Sequence, residues 1–113
     1  MFDRYGFIFL GPGTDPTVDR VVIERGGFRS TIVAVPEQSA AAPVAVELVD
    51  GGVQLVELCG AFGPVWAARV IEAIGGRVPV GLVSYGPESV AGLAVLVAPA
   101  PDPGGGRQRP AES

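Results

Sequence analysis

The sequence predicts a small α/β domain in which four strand-helix units build one parallel sheet. Apolar strand-like segments alternate four times with helix-like segments, and glycine or proline separates them. The intervening segments are long enough for crossovers between parallel strands. We predict the flavodoxin-like strand order 2-1-3-4, with helices on both faces of a four-stranded sheet. The alternative is a half-barrel that a second copy completes, because four such units are half of an eightfold α/β barrel.

The first two strands are predicted at residues 5–10 and 28–35, where aromatic and β-branched residues are frequent. Between them, a helix is predicted over residues 16–25. It would begin with Pro16 at the first helical position and Thr14 or Asp15 as its cap. One side of this helix would follow helical spacing, at Val18, Val21, Val22 and Arg25.

The remaining units follow the same pattern. A helix beginning near Pro43 is expected to end at Gly51, because proline inside a helix would break it. Residues 53–59 form an almost unbroken apolar segment, which is typical of a central strand buried on both faces. A helix over residues 64–74 and a strand over residues 78–85 come next. The last helix, residues 87–98, is apolar nearly all round, and a partner subunit is the simplest cover for it.

Length and composition narrow the functional classes. A chain of 113 residues suits one domain, predicted at residues 1–98, and the Pro/Gly-rich residues 99–113 are expected to be a disordered tail. A net charge of −4 argues against nucleic acid or an anionic membrane as partner. Without a signal-type segment, the expected location is the cytoplasm, and the Ala/Gly/Pro-rich, all-arginine composition suggests a bacterial source.

The chain contains neither histidine nor lysine. This excludes imidazole metal sites, Ser/His and Cys/His nucleophile pairs, lysine Schiff bases and the lysine of a phosphate-binding loop. Any chemistry must come from carboxylates, tyrosine, Ser/Thr, arginine, the single cysteine or backbone amides. We expect no cofactor and no bound metal, because neither the GPG segment at residues 11–13 nor the carboxylate spacing matches a known binding loop.

Three separated segments of the chain are distinctive: ELCGAFGP at residues 57–64, YGFIFLGPGTDP at residues 5–16 and GRVPVGLVSYG at residues 76–86. Together they resemble a family of small bacterial proteins catalogued as a domain of unknown function. The resemblance extends over residues 2–98. It implies an α/β domain of about this length and carries over no activity, cofactor or catalytic residue.

Glu57 is the leading candidate for a catalytic residue. It interrupts the apolar strand VQLVELC, near the carboxyl ends of the strands, where ligands bind in parallel α/β sheets. A carboxylate there must be paired or have a raised pKa, and both are typical of a working acid or base. The alternative is that Glu57 accepts structural hydrogen bonds and holds the following loop in shape. Arg4, Arg29 and Arg77 are expected at the opposite edge of the sheet.

Other residues at the same predicted edge complete the candidate site. Cys59, two positions after Glu57, and Tyr85, at the end of the fourth strand, could assist catalysis. A ligand could contact four further residues there: Asp15, Gly60, Phe62 and Ser84. Each also has a structural interpretation, because Asp15 could cap a helix, Phe62 could pack in the core, and loop hydroxyls often only satisfy turns.

Two functions are therefore predicted as alternatives. The first is a small-molecule enzyme of the isomerase, cyclase or lyase type, in which Glu57 is the acid or base and Cys59 or Tyr85 assists. The second is a non-catalytic ligand-binding or oligomeric scaffold protein. The expected edge is acidic, with Asp15, Glu37, Glu57 and Glu88 at or near it, and this favours a small neutral or cationic ligand. The apolar last helix favours a homo-oligomer.

Overall fold

The computed structural model describes residues 1–98, which form two compact units, Met1–Val83 and the segment that begins at Ser84. The predicted tail, residues 99–113, lies outside the described residues. The first unit contains a five-stranded sheet and two α-helices. Its elements in chain order are β1 (Arg4–Leu10), β2 (Arg20–Arg25), β3 (Phe28–Val35), α1 (Ala41–Asp50), β4 (Leu55–Leu58), α2 (Gly63–Ala73) and β5 (Val80–Leu82).

The α/β class is confirmed, but the prediction of a four-stranded sheet is wrong, because an additional strand, β2, lies at one edge. The four predicted strands correspond to β1, β3, β4 and β5, and these four keep the predicted relative order 2-1-3-4. The sheet has five strands in the order β2-β3-β1-β4-β5, with β2 antiparallel to β3 and all other neighbours parallel. Because β1 lies in the centre of the sheet, the sequential order of a half-barrel is also excluded.

The additional strand is β2 (Arg20–Arg25), which lies within the segment, residues 16–25, where a helix was predicted. Val21, Val22 and Ile23 are three consecutive β-branched residues, which favour a strand. Gly26 and Gly27 then form a two-residue hairpin turn to β3, and their φ angles of 59° and 78° fit a type I′ turn. The hairpin thus takes the place of the predicted helix, which was expected to cover one face of the sheet.

Both helices of this unit pack on one face of the sheet. Alternate strand residues such as Ile8, Val33 and Leu58 have no solvent exposure, and they form one core with apolar residues of α1 and α2. Pro43 does not break α1, because it lies in the first helical turn, where its missing N–H is not needed. Gly6 allows α1 to approach closely, since a Cβ there would lie 3.2 Å from Leu48 Cδ1.

The opposite face of the sheet carries no helix of this unit, and we call it the open face. Strand alternation and register assign its residues. Most of them are apolar, and apart from the exposed Val21 and Ile23 they are half-buried: Tyr5, Phe7, Phe9, Val21, Ile23, Ile32, Leu55 and Glu57. Parallel sheets in folded proteins are normally covered on both faces, so a partly exposed apolar face of this kind is unusual.

The second unit contains a 3₁₀ turn at Pro87–Ser89 and the helix α3 (Val90–Val97). The helix is apolar, as the sequence predicts, and it has no buried residue. Val95, Leu96 and Val97 have 76%, 82% and 69% of their surface exposed. Within residues 1–98, no helix is long and apolar enough to cross a membrane.

Candidate functional site

Glu57 lies on the open face, one residue before the end of β4, and is half-buried. Its Oε1 accepts a hydrogen bond of 2.7 Å from the Tyr5 hydroxyl on the neighbouring strand β1. Parallel pairing places Tyr5 beside Leu55 and Phe7 beside Glu57, so the tyrosine reaches the carboxylate diagonally across the sheet. The lone acid in this apolar strand is therefore paired with a hydroxyl.

Glu57 also lines a hollow of about 190 Å³, together with Gly81, Leu82 and Val83. Gly81 lacks a side chain at this point. A Cβ built on it would lie 3.2 Å from Glu57 Cγ and 3.7 Å from Oε2. The glycine thus leaves room for the Glu57 side chain beside β5, and Tyr5 holds one oxygen of its carboxylate.

The environment of Tyr5 keeps its hydroxyl protonated. Burial first, and then the hydrogen bond to Glu57 and the charge of that carboxylate, raise the pKa of Tyr5 from 10.0 to about 12. All three causes disfavour the phenolate. At neutral pH, Tyr5 is consequently a fixed donor that orients the carboxylate.

The raised pKa of Tyr5 predicts an alkaline titration that can be isolated. The chain has two tyrosines, so a Tyr85→Phe variant leaves Tyr5 as the only one. Its tyrosinate absorbance should rise with a midpoint near pH 12. Adding Glu57→Gln should lower the midpoint towards 10 without reaching it, because burial remains. A midpoint near 10 in the folded Tyr85→Phe variant would contradict the Tyr5–Glu57 pair.

The raised pKa of Tyr5 also determines how the stability of the fold changes with pH. Folding favours neutral Tyr5, so the stabilising contribution is complete below about pH 10 and is lost as the pH rises through about 12. Relative to a Tyr5→Phe variant, the wild type should therefore lose stability only within this alkaline window. Urea unfolding at several pH values measures the difference.

The other predicted site residues are distributed over several places. Cys59 is half-buried just after β4, and its Sγ accepts the Leu10 N–H at 3.4 Å. Gly60 follows it and is half-buried, whereas Phe62 is only 2% exposed and packs in the core. Ser84 and Tyr85 are exposed residues of the second unit.

Asp15 is exposed and shapes a turn instead of capping the predicted helix. Its Oδ1 accepts the Thr17 N–H at 2.9 Å and the Thr17 hydroxyl at 2.8 Å. These hydrogen bonds, with the backbone one first, lower the pKa of the Asp15 carboxyl. Within residues 1–98, no three acidic or cysteine side chains gather in a group that could hold a metal ion.

Sequence reasoning missed Tyr5 as a partner of Glu57. Tyr5, Phe7 and Phe9 alternate along β1 and so share one face of the sheet, and the register of β1 with β4 brings Tyr5 within reach of Glu57.

A family model of a family of unknown function, DUF6506, matches residues 3–98. The chain belongs to the DUF6506 family. This confirms the resemblance to a family of unknown function. The DUF6506 match covers the whole sheet, the Tyr5–Glu57 pair and α3. The chain matches no curated protein and no solved structure.

Proposed function

We propose that this DUF6506 protein is a small-molecule enzyme of the isomerase, cyclase or lyase type, with Glu57 as its general acid-base. The observation that carries the proposal is the 2.7 Å hydrogen bond from Tyr5 to one oxygen of Glu57, a half-buried residue that also lines the hollow beside Gly81. An oriented, accessible carboxylate in an apolar surrounding is suited to proton transfer.

The proposed chemistry is removal of a proton from a carbon next to a carbonyl group. Glu57 takes the proton, the electron pair of the C–H bond moves into the enolate, and the proton later returns to the same or another carbon. Tyr5 holds the carboxylate in place and is a positioning residue. The apolar neighbours Phe7, Leu82 and Val83 favour a neutral ligand over a charged one.

The test is deuterium exchange, which requires no knowledge of the final product. The full chain is incubated in D₂O with a panel of small neutral ketones, enones and lactones, and the loss of C–H signals is followed by NMR. We expect at least one compound to exchange faster than with buffer alone. The same compound should shift the amide signals of Tyr5, Phe7, Glu57 and Gly81. Exchange without any shift on the open face would contradict this site.

The exposed apolar residues of α3 support a second part of the proposal, that a second copy of the chain packs against this helix. Val95, Leu96 and Val97 have 76%, 82% and 69% of their surface exposed, and the helix has no buried residue. Association that covers these side chains removes apolar area from water, which is the main favourable term in most protein association. This contact does not use the open face, so the carboxylate of Glu57 stays accessible to a ligand.

The homo-oligomer predicts a measurable change of mass. Light scattering coupled to size exclusion should give about twice the chain mass of 11.5 kDa. Leu96→Glu should give the single-chain mass, because Leu96 on α3 is 82% exposed in the isolated chain and the new charge would have to be buried between copies. Val65→Glu, at a 62% exposed position on α2, is the matched control and should remain dimeric. A wild type that stays single-chain at high concentration would disprove the second copy.

A further inference from the structure

A separate pocket lies on the helix-covered side of the sheet, at the edge where β1 and β3 begin, and we call it the arginine pocket. Its volume is about 190 Å³. Three arginines of different strands surround it with one acid, one hydroxyl and apolar side chains: Arg4, Arg20, Arg29, Glu47, Thr31, Val22, Leu48 and Val53. Nothing proposed for Glu57 uses this pocket, because Glu57 lies on the opposite face.

The strand register explains why the arginines converge. Arg4 of β1 and Arg29 of β3 are direct neighbours in the parallel ladder, and Thr31 follows Arg29 on the same face. Arg4 belongs to the same alternating set as Gly6 and Ile8, which lie under the helices. The backbone of Gly52 also lies close to Arg4, since a Cβ there would be 3.5 Å from its Nη1. The strand register therefore places the guanidinium groups of Arg4 and Arg29 at the same edge of the core.

The charges of the pocket are not balanced. Arg20 is fully engaged, since its two terminal nitrogens donate to both oxygens of Glu47 at 2.7 and 3.0 Å. Arg29 approaches Glu24 only at 4.0 Å, and both side chains are exposed. Within residues 1–98, no carboxylate lies within 4.0 Å of the Arg4 guanidinium. One guanidinium is thus uncompensated and a second is only loosely paired.

The nearby end of α1 does not cancel this positive charge. A helix carboxyl end carries unpaired carbonyl groups that repel anions. Here the carbonyl groups of Glu47, Leu48 and Val49 accept hydrogen bonds from the N–H groups that follow the helix, at 3.0 Å each. The backbone at this end of the pocket is consequently satisfied, and the arginines dominate its electrostatics.

We propose that the arginine pocket binds a small organic carboxylate. A guanidinium presents paired donors that match the two oxygens of a carboxylate, and the Thr31 side chain, 8% exposed, adds a hydroxyl to the wall. Val22, Leu48 and Val53 give the pocket apolar walls, which suit a short carbon chain better than a bare inorganic anion. The pocket holds about six water volumes, so the ligand is a short-chain acid.

The test is an amide NMR titration of the full chain at constant ionic strength, with butyrate as the probe. Concentrations reach about 50 mM, which covers the millimolar dissociation constants expected for so small a ligand. Saturable shifts should appear at Arg4, Arg29, Thr31 and Gly52. Butyramide has the same chain without the charge and should produce no such shifts.

Variants separate the pocket from general charge effects. Arg4→Gln removes the uncompensated guanidinium and should weaken butyrate binding about tenfold, as expected for a charged hydrogen bond. Arg25→Gln removes an exposed arginine at the end of β2 and should leave binding unchanged. If Arg4→Gln disturbs the amide spectrum as a whole, Arg29→Gln serves in its place with the same expected direction.

Three results would overturn the proposal. Equal shifts with butyramide would show an apolar groove without a preference for anions. Tighter binding of inorganic phosphate than of butyrate would make the pocket an inorganic anion site. Shifts that do not saturate, or that survive both arginine variants, would show no specific site at this edge.

Discussion

Glu57→Gln should lower the rate of catalysed C–H exchange by about 100-fold to 10,000-fold, the usual contribution of a general base. Glutamine keeps an oxygen that can accept the Tyr5 hydroxyl, and it has nearly the same shape as glutamate. The fold and the hollow beside Gly81 should therefore persist. The measurement is the exchange rate of the active compound in D₂O, with the amide spectrum recorded as a check on folding.

Two further variants make this result specific. Glu72→Gln changes an exposed acid on α2 and should leave the exchange rate unchanged. Tyr5→Phe removes the donor that orients Glu57 but retains the base, so a smaller loss of about tenfold is expected, as for a hydrogen bond lost from a positioned group. Full activity in Glu57→Gln would show that the base is another residue. An unfolded Glu57→Gln chain would favour the structural interpretation of this acid.

The sequence was informative wherever local pattern and tertiary structure agree. The four parallel strands occur where apolar and β-branched residues indicated them, with shorter bounds such as Leu55–Leu58 for the predicted 53–59. The helices α1, α2 and α3 also lie within or near the predicted segments. Glycine and proline end helices and strands through their own backbone properties. The boundaries of these elements can therefore be located without knowledge of neighbouring strands.

The segment before Gly26 shows where this reasoning fails. Val18, Val21, Val22 and Arg25 satisfy helical spacing, yet Val21, Val22 and Ile23 are also a β-branched run followed by a two-glycine turn. Hairpin pairing with β3 decides between the two, and that pairing is a tertiary interaction. Because this segment is a strand and not a helix, no helix of the first unit covers the open face. The error in the fold and the unexpected surface thus have the same cause.

The candidate site was predictable only in part for a related reason. Glu57 was recognisable because a charge inside an apolar strand is anomalous within its own segment. Tyr5 and the arginines of the second pocket become significant only through the register of neighbouring strands, which places Tyr5 diagonal to Glu57 and Arg4 beside Arg29. For Arg4 and Arg29 a signal did exist, since each shares alternation with buried positions such as Ile8 and Val33.

The central position of β1 leads to the largest expected effect on stability. Ile8 has no solvent exposure and lies between Val33 and Leu58 in the middle of the sheet. Ile8→Ala should lower the free energy of unfolding by about 3 to 4 kcal/mol, because the lost transfer energy is added to the cost of a cavity that β1 cannot close by moving. Urea unfolding at fixed protein concentration measures the change, since association also affects apparent stability.

A matched substitution tests whether burial in the sheet is the cause. Ile71→Ala, at a 44% exposed position of α2, removes the same atoms and should cost less than about 1 kcal/mol. If Ile8→Ala is too unstable to purify, Ile8→Val should still cost about 0.5 to 1.5 kcal/mol. Equal losses at the two isoleucines would mean that β1 is not the centre of the core. The open face would then have to be assigned again, because its residues follow from the alternation of this strand.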